Sequence, residues 1–531
     1  VRTSKSQPIY YSDVLTRFLN HQNEEKLSFT VSGMEYHFKT GKLGLHEIDF
    51  TEQSGKLVGL MGGSGAGKST LLNVLNGNYS PSSGSVKING IDVHKEKSKL
   101  EGIIGFISQD DLLIEELSVF QNLFFNAKLC FNDLDDKQIT KKVVDLLAMI
   151  GLHEAMSLKV GSPLEKTISG GQRKRLNIAL ELIREPSVLF VDEPTSGLSS
   201  RDSENIMDLL KELALKGKLI FVVIHQPSSD IFKMFDRLLI LDQGGFPIFD
   251  GNPIDAVVYF KKHVNHVNSN ERECYNCGNV NPEQIFNIIE SKVVDEYGNL
   301  TKYRKTLPEE WNEKFLSHTS QNSNGDDIVE LPEGSAKIPS RFTQFKVFFE
   351  RDILSKLSNK QYMLINMLEA PILALILAFF VKFFDDKNAD SSYIFYENIN
   401  IPQYIFIAIV VSLFLGLTVA AEEIIKDKKI LKRESFLNLS RSSYILSKLG
   451  IMFIISAIQT VFFVLIGNSI LEIKGMWLEY WFILFSTSCV ANVMGLNISA
   501  AFNSAKVIYI MVPLLIIPQL LFSGVIVKFE K

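Results

Sequence analysis

The sequence feature that most constrains the fold is a glycine-rich stretch that fits the pattern G-x-x-x-x-G-K-[S/T] at every required position. An apolar run, residues 57–61, leads into it, and a helical run, residues 70–75, follows it. In this context the glycines let the loop curl so that backbone N–H groups point inward at the start of a helix. The stretch therefore predicts a loop that binds the phosphates of a nucleoside triphosphate. Its residues, with the one that follows, are Gly62, Gly63, Ser64, Gly65, Ala66, Gly67, Lys68, Ser69 and Thr70.

Two side chains of this phosphate loop have specific predicted roles. Lys68 is expected to reach the β- and γ-phosphates, and the hydroxyl of Ser69 is expected to ligate Mg²⁺. An aromatic residue upstream of the loop, Phe38, is the first candidate on which the nucleotide base would stack, and Tyr36 is the second. Phe38 fits a core aromatic on a strand equally well, so both interpretations stay open.

Three apolar runs that read as buried strands end in polar side chains. In an α/β domain with parallel strands, ligands bind at the C-terminal strand ends, so these side chains are expected at one edge. Asp192 and Gln109 would hold Mg²⁺, Gln109 together with the attacking water. Glu193 would polarise that water, and His225 would contact the γ-phosphate. The polar residues are Gln109, Asp192, Glu193 and His225, after the runs 103–107, 187–191 and 219–224.

A second glycine-serine turn opens a helix at residues 168–175, and it predicts a second phosphate-binding half-site. The alternative interpretation is an ordinary helix cap. One chain needs one site for one nucleotide, so two half-sites indicate that the second one serves a nucleotide held by another copy. The residues of this half-site are Ser169, Gly170, Gly171 and Gln172.

The overall composition excludes some classes of protein. At 531 residues the chain is long enough for more than one domain, and its net charge of -5 gives no indication of nucleic-acid binding. The 4 cysteines are too few for a disulfide scaffold. The first residues contain no apolar leader, so no cleavable signal peptide is expected. The mean hydropathy of +0.11 reflects a polar first two-thirds and an apolar last third.

The apolar last third predicts a membrane domain. Residues 341–357 are amphipathic and basic, as in a helix at the inner membrane interface. Segments of about 20 apolar residues, the length that crosses a bilayer, follow. The basic stretch 426–441 is expected to face the cytoplasm, which places the nucleotide-binding part on the same side. The predicted spans are about 362–383, 402–421, 449–471, 480–500 and 507–527.

Between these parts, residues 263–340 lose periodicity and end in a polar stretch, which is typical of a linker. Within it, His263 and His266 are followed by Cys274 and Cys277. Two His and two Cys could bind a structural zinc ion, because zinc favours four N and S ligands. The alternative is that the His pair continues a helix, since its spacing fits the usual zinc pattern only in part.

Taken in order, these motifs resemble those of an ATP-binding cassette, and the resemblance covers about residues 28–260. The segment 168–175, the sequence His225-Gln226-Pro227-Ser228 and the order of the domains resemble the white/G subfamily of half-transporters. The resemblance implies an α/β P-loop NTPase domain followed by an all-α transmembrane domain. The implied domains are residues 1–27 (an unassigned extension), 28–262 (the nucleotide-binding domain), 263–340 (the linker) and 341–531 (the membrane domain).

The same resemblance implies function and partners. It implies an ATP-hydrolysing exporter of a hydrophobic or amphipathic, lipid-like substrate, which uses ATP and Mg²⁺. It works as a homodimer or heterodimer of half-transporters in the plasma membrane, with the cassette in the cytoplasm. The family has six spans, so the expectation is that this sequence stops before the last one. Where the family usually has Asp, this chain has Ser199, a change expected to weaken communication between the two sites. The alternative is a mechanotransmitter, an ATPase that acts on a membrane partner or on lipids without moving a solute.

Overall fold

The computed structural model divides the chain into two compact units. The first comprises residues 1–113 and 122–337, and the second comprises residues 114–121 and 338–531. The structure describes residues 2–3, 7–12, 17–20, 27–162, 165, 167–264, 269, 271, 273, 279–297, 299–318, 338–382, 393, 395–434, 437 and 439–522.

The strands of the first unit form its sheets, and they begin with three short strands in the N-terminal extension. Strands β1 to β3 pair in that order. The strands are β1 (Arg2–Thr3), β2 (Gln7–Ser12), β3 (Arg17–Asn20), β4 (Ser28–His37), β5 (Leu43–Gln53), β6 (Leu57–Gly62), β7 (Ser83–Ile88), β8 (Ile91–Asp92), β9 (Ile104–Ile107), β10 (Val188–Asp192), β11 (Leu219–Val223), β12 (Arg237–Asp242), β13 (Phe246–Gly251), β14 (Lys292–Val294) and β15 (Leu300–Arg304).

The central sheet has six strands in the order β13-β12-β6-β11-β10-β9. Every pair in it is parallel except β12 with β13. β6 and β11 are buried along their whole length. Such continuous apolar runs are typical of parallel strands covered on both faces. Because the strands are parallel, β6, β9, β10 and β11 all end at the same edge of the sheet.

A second, antiparallel sheet in the order β5-β4-β7-β8 packs against the central one. Aromatic rings fill the space between the two sheets. The ring of Phe29 on β4 lies 5.1 Å from that of Phe221 on β11, and Phe221 stacks on Phe190 of β10 at 5.1 Å. All three side chains are fully buried. This core fixes the two sheets relative to one another.

The helices of the first unit connect these strands. The sequence of residues 115–155 predicts helical structure, and the region contains two separate helices, α2 and α3. The second begins with a capping box in which the side chains of Asp135 and Gln138 each bond the other's backbone N–H. The helices are α1 (Lys68–Leu75), α2 (Val119–Cys130), α3 (Asp136–Met149), α4 (Gly170–Leu182), α5 (Ser200–Leu215), α6 (Ser229–Met234), α7 (Pro253–His263), α8 (Glu283–Ile289) and α9 (Pro308–His318).

Part of the segment predicted as a linker is folded. Residues 283–318 contain α8, the β14–β15 hairpin and α9, and they belong to the first unit. Trp311 of α9 is fully buried, and its ring lies 5.2 Å from that of Phe260 on α7. A buried aromatic ring contributes a large apolar area to the packing of the helix that carries it.

The second unit is helical. Five of its helices are long and apolar enough to cross a membrane within the described part of the chain, namely α11, α12 (with the helix that follows it), α14, α15 and α16. Its helices are α10 (Arg341–Ser358), α11 (Lys360–Lys382), α12 (Ile401–Ala420), α13 (Glu423–Glu434), α14 (Arg441–Ile470), α15 (Trp477–Ala501) and α16 (Ala505–Phe522).

The basic stretch after α12 forms helix α13 over much of its length. One face of α13 is buried against α10, where Glu434 accepts a hydrogen bond from Arg351 at 2.5 Å. Both side chains are almost fully buried. Charges buried in this way need a partner, so the pair fixes α13 on α10.

Candidate nucleotide-binding and catalytic site

The phosphate loop runs from the end of β6 at Gly62 to the start of α1 at Lys68. Gly67 precedes α1 with φ of 87°, a left-handed conformation that glycine adopts without strain. The Lys68 ammonium group lies inside the loop and donates hydrogen bonds to the carbonyl oxygens of Gly62 and Gly63, both at 2.8 Å. Burial lowers the pKa of Lys68, and Glu193 and Asp192 partly oppose that shift.

The other residues of the loop have different exposures. Ser64 and Gly65 are exposed, Ala66 is buried, and Thr70 is half-buried in the first turn of α1. The exposed tip leaves the loop open on the side where a nucleotide would enter.

Asp192 and Ser69 lie together at the end of β10 and the start of α1. Ser69 donates a side-chain hydrogen bond to Asp192, and burial together with the charge of Glu193 raises the pKa of Asp192. The Oδ1 atom of Asp192 is buried and has no partner among the described residues. A carboxylate and a hydroxyl are oxygen donors that suit Mg²⁺. These residues therefore fit a magnesium ion, and an ion there would satisfy the buried oxygen.

Three of the predicted catalytic residues meet at the same edge of the sheet. Gln109 donates from Nε2 to Oε2 of Glu193 at 2.8 Å, and His225 Nε2 lies 3.2 Å from Oε1 of Glu193. The residues follow β9, β10 and β11, which are neighbours in the sheet. Burial, and then the positive charge of Lys68, lower the pKa of His225, so its ring is neutral at pH 7.

Lys174 on α4 is a residue of this site that the motifs do not reveal. Its ammonium group donates to the carbonyl oxygen of Gln109 at 2.8 Å, and burial lowers its pKa. The same helix contacts the loop after β9 through Arg173, whose side chain donates a hydrogen bond to Asp111 at 2.9 Å. Helix α4 therefore positions Gln109 beside Glu193. In the sequence, the run of basic residues at the start of α4 is the signal that could have indicated it.

The second glycine-serine turn forms the N-terminus of α4. Ser169 caps the helix by accepting a hydrogen bond from the backbone of Gln172, and the Gln172 side chain accepts from the Ser169 backbone. Gly170 is exposed and Gly171 is buried. Among the described residues, no hydrogen bond or ion pair joins residues 169–172 to the phosphate loop. In its local structure this turn is a helix cap. The first turn of a helix also has backbone N–H groups without a partner inside the helix, and these are available to a ligand.

The ring of Phe38 lies near the phosphate loop in space, with Gly44 between the ring and the loop. Its ring covers Gly44, since a Cβ added to Gly44 would lie 2.6 Å from Phe38 Cε2. The carbonyl oxygen of Gly44 in turn lies 3.2 Å from where a Cβ on Gly67 would be. Phe38 is 40% exposed and contacts Tyr36 edge-on at 5.4 Å. An exposed ring at this place is available for stacking.

A carboxylate from the segment after α7 also borders the loop. Oε1 of Glu290 lies 2.7 Å from the position of a Cβ on Gly63. The neighbouring β15 is fixed by Arg304, which donates to Asp242 at 2.7 Å. Sequence reasoning missed Glu290 because nothing local links it to the loop.

The predicted zinc site falls largely outside the described residues. His266, Cys274 and Cys277 all lie there, so the zinc ion stays a prediction. His263 is described at the end of α7, where Nδ1 lies 2.9 Å from the carbonyl oxygen of Tyr259. Its ring contacts those of Tyr259 and Trp311. No group of three metal-binding side chains occurs in the described part of the chain.

Comparison with known protein families matches both units. Residues 45–196 match the ABC transporter family, and residues 343–531 match the ABC-2 type transporter family. The matches confirm the predicted fold class, an α/β P-loop ATPase domain followed by a helical membrane domain.

Individual relatives agree with these matches. The chain is 36% identical to ABC transporter G family member 24 of Dictyostelium discoideum over 52% of this chain and 24% of that protein. It is also 36% identical to the ABC transporter ATP-binding protein/permease wht-3 of Caenorhabditis elegans, over 53% and 44%. A longer match, 28% identical over 93% and 54%, is to the ABC transporter ATP-binding/permease protein Rv1747 of Mycobacterium tuberculosis.

The chain spans from about a quarter to about half of the lengths of these relatives. The order of the two matched segments is the same as the order predicted from the motifs. A domain with the phosphate loop, Glu193 and the second glycine-serine turn precedes the segment that matches the membrane domain. The chain therefore belongs to the ABC transporter family, and its relatives include members of the ABC transporter G family.

Proposed function

We propose that the first unit hydrolyses Mg²⁺-ATP and that Glu193 is the general base. The observation that carries this proposal is the position of the Glu193 carboxylate, which Gln109 and His225 hold from two sides. A base that must take a proton from water needs to be fixed within hydrogen-bond reach of it. A neutral His225 can hold the water or a phosphate oxygen without repelling Lys68.

The remaining residues of the site would bind the nucleotide. Lys68 and the N–H groups of the phosphate loop would hold the phosphates, and Phe38 would stack against the base. Asp192, Ser69 and Gln109 would hold Mg²⁺, which when bound neutralises charge on the phosphates. The exposed position of Ser64 and Gly65 supports entry of the nucleotide from that side.

We further propose that a complete site needs two chains. Residues 169–172 present a second helix N-terminus that makes no polar contact with the phosphate loop of its own chain within the described residues. In a dimer, each nucleotide would lie between the phosphate loop of one chain and Ser169, Gly170, Gly171 and Gln172 of the other. The second chain is another copy or a related half-transporter.

The second unit supports a transport function for this ATPase. Its long apolar helices are suited to a lipid environment. Helix α13 carries a concentration of basic residues. By the positive-inside rule these would face the cytoplasm, the compartment that contains ATP. We propose export of a hydrophobic or amphipathic substrate across the plasma membrane. The basic residues are Lys426, Lys428, Lys429, Lys432 and Arg433.

The test compares the wild-type protein with Glu193→Gln in sealed proteoliposomes. We expect Glu193→Gln to lower the ATPase rate by a factor of about 10² or more, since general-base catalysis contributes that much. Glu204→Gln, at a half-buried position of α5, is the matched control and should keep the wild-type rate. An unchanged rate in Glu193→Gln would contradict the assignment of the base.

Transport is measured in the same vesicles with fluorescent lipids and amphiphilic dyes. We expect ATP-dependent movement of at least one such compound in the wild type, and none in Glu193→Gln. ATP hydrolysis that is never accompanied by movement of a compound would instead indicate a mechanotransmitter.

A further inference from the structure

Two charged side chains from the segment after α7 lie beside the phosphate loop. Glu290 directly follows α8, and its Oε1 atom lies 2.7 Å from the position that a Cβ on Gly63 would occupy. Arg304 lies on β15, and its Nη2 atom is 3.8 Å from the same Oε1 atom. Within the described part of the chain, Arg304 is the cation that pairs with Glu290. The Glu290 carboxylate therefore borders the loop and also lies near a positive charge.

The position of Glu290 is set by the packing of α8 and of the hairpin that follows it. Ile285 and Ile289 of this helix are buried. Just after the helix, the backbone N–H of Lys305 donates to the carbonyl oxygen of Ser291 at 2.7 Å. A negative charge at the C-terminal end of a helix interacts unfavourably with the helix dipole. The stability of α8 therefore does not explain why an acid occupies this position.

Arg304 is anchored to the strand beside the phosphate loop. Its Nη1 atom donates to Oδ1 of Asp242 at 2.7 Å, and the two side chains are only 15% and 3% exposed. Asp242 ends β12, and Leu241 before it pairs with Gly62 at the start of the loop. A buried carboxylate needs a partner of opposite charge. Because Arg304 lies nearer to Asp242 than to Glu290, its charge mainly neutralises Asp242, and Glu290 is only partly neutralised.

This partly neutralised carboxylate lies where the charge of a phosphate would arrive. The carbonyl oxygen of Gly63 accepts a hydrogen bond from Lys68 at 2.8 Å, and Lys68 is the residue proposed to hold the phosphates. Like charges repel one another with an energy that rises as their separation and the local dielectric constant fall. A negative charge beside Gly63 therefore opposes the binding of phosphates in the loop.

We infer that Glu290 is a specificity-determining residue that lowers the affinity of the phosphate loop for nucleoside di- and triphosphates, and that Arg304 limits this effect. The inference rests on the proposed binding of nucleotide phosphates by this loop. Weaker binding of the product speeds its release, because affinities at one site differ mainly through the dissociation rate. Glu290 therefore favours release of ADP over its tight retention.

The experiment measures equilibrium nucleotide binding by the full chain in lipid nanodiscs, with fluorescent derivatives of a non-hydrolysable ATP analogue, of ADP and of AMP. We expect Glu290→Gln to bind the ATP analogue about three to ten times more tightly than the wild type, because one repulsive charge near the phosphates is removed. The gain should be smaller for ADP and smallest for AMP. It should also shrink at high salt, because ions screen exposed charges.

Glu296→Gln is the matched control, since it changes an exposed acid between β14 and β15 that does not border the phosphate loop. This variant should bind all three nucleotides as the wild type does. Melting temperatures measured for every variant show whether it is folded.

A second variant tests the part played by Arg304. Arg304→Gln removes the positive charge and keeps an amide that can donate to Asp242. We expect it to weaken binding of the ATP analogue by about threefold, because Glu290 then acts without its counter-charge. In the Glu290→Gln background the same change should have a smaller effect, and the difference between the two effects measures the coupling of these residues.

Three results would overturn the inference in distinguishable ways. If Glu290→Gln binds the ATP analogue as the wild type does while Lys68→Ala loses binding, the phosphate loop holds the nucleotide and Glu290 only borders it. Equal tightening for all three nucleotides would show a structural effect of the substitution rather than repulsion of phosphate charge. If Lys68→Ala binds as well as the wild type, the proposed phosphate site itself fails, and the role of Glu290 fails with it.

Discussion

At the scale of single residues, the buried carboxylate of Asp192 is expected to destabilise the protein when no magnesium ion is bound. Burial and the charge of Glu193 raise its pKa, and Oδ1 is buried without a partner among the described residues. We predict that Asp192→Asn raises the melting temperature of the magnesium-free protein by about 2–4 °C, which corresponds to about 1 kcal/mol in a domain of this size. Differential scanning fluorimetry measures this.

The same variant should lose the further stabilisation that Mg²⁺-ATP gives the wild type, because it removes the negatively charged ligand. Asp145→Asn, an exposed acid on α3, is the control and should change neither value. A lower melting temperature for Asp192→Asn without magnesium would show that the carboxylate stabilises the site, and it would contradict the prediction.

Which residues meet at the site could be predicted to different extents. Gln109, Glu193 and His225 each end an apolar run, and parallel strands place their ends together, so local pattern was sufficient. Lys174 contacts Gln109 through packing of α4 that no spacing rule describes. Glu290 reaches Gly63 from a segment far along the chain, and contacts between such distant segments depend on the tertiary structure.

At the scale of secondary-structure elements, His94 ties the loop after β8 to the end of α1. Its Nε2 lies 2.9 Å from the carbonyl oxygen of Val74, and its side chain is only 7% exposed. Burial lowers its pKa from 6.5, although Asp92 partly opposes this. A histidine with a lowered pKa in the folded protein takes up a proton more readily when unfolded. Its contribution to stability is therefore complete above pH 6.5 and is lost as the pH falls through 6.5 towards the lower folded value.

We predict that the melting temperature falls between pH 7.5 and pH 5.5 and that His94→Gln makes this fall smaller. Glutamine keeps an amide donor for Val74 but does not titrate in this range. His153→Gln, which changes an exposed histidine, is the control and should keep the wild-type pH dependence. If His94→Gln showed an unchanged or steeper fall, His94 would not be the titrating group.

Elements without a strong pattern were harder to predict than the central sheet. The strands β6 and β11 are continuous apolar runs, and the sequence indicates them directly. Residues 283–318 fall in the segment predicted as a linker because its periodicity is lost, yet Trp311 of α9 is fully buried next to Phe260. Helix α13 lies in the stretch predicted only as basic and cytoplasmic, because its charges obscure its few buried apolar residues, such as Ile430.

At the scale of the whole molecule, the two-chain site predicts complementation between inactive variants. Lys68→Ala removes a phosphate ligand of one half-site, and Gly170→Asp places a carboxylate in the other. In a mixed dimer, both changes affect the same composite site and leave the other composite site intact. We predict that two differently tagged copies carrying one change each recover measurable ATP hydrolysis when purified together.

Each variant alone should be inactive, since both of its sites carry a change. Rates are measured on mixed dimers isolated through both tags, against dimers of each single variant. Mixed dimers that remain as inactive as the single variants would mean that each chain completes its own site.

The hydrogen bonds of Lys68 to Gly62 and Gly63 have a consequence for nucleotide binding. A lysine held by two carbonyl groups has already given up its rotamer freedom, which amounts to about 1.5–2 kcal/mol, during folding of the chain. An arriving nucleotide therefore exchanges partners with an immobilised ammonium group and does not have to order a mobile one. Nucleotide binding therefore requires the ammonium group to exchange its two carbonyl partners for phosphate oxygens, without a further loss of side-chain freedom.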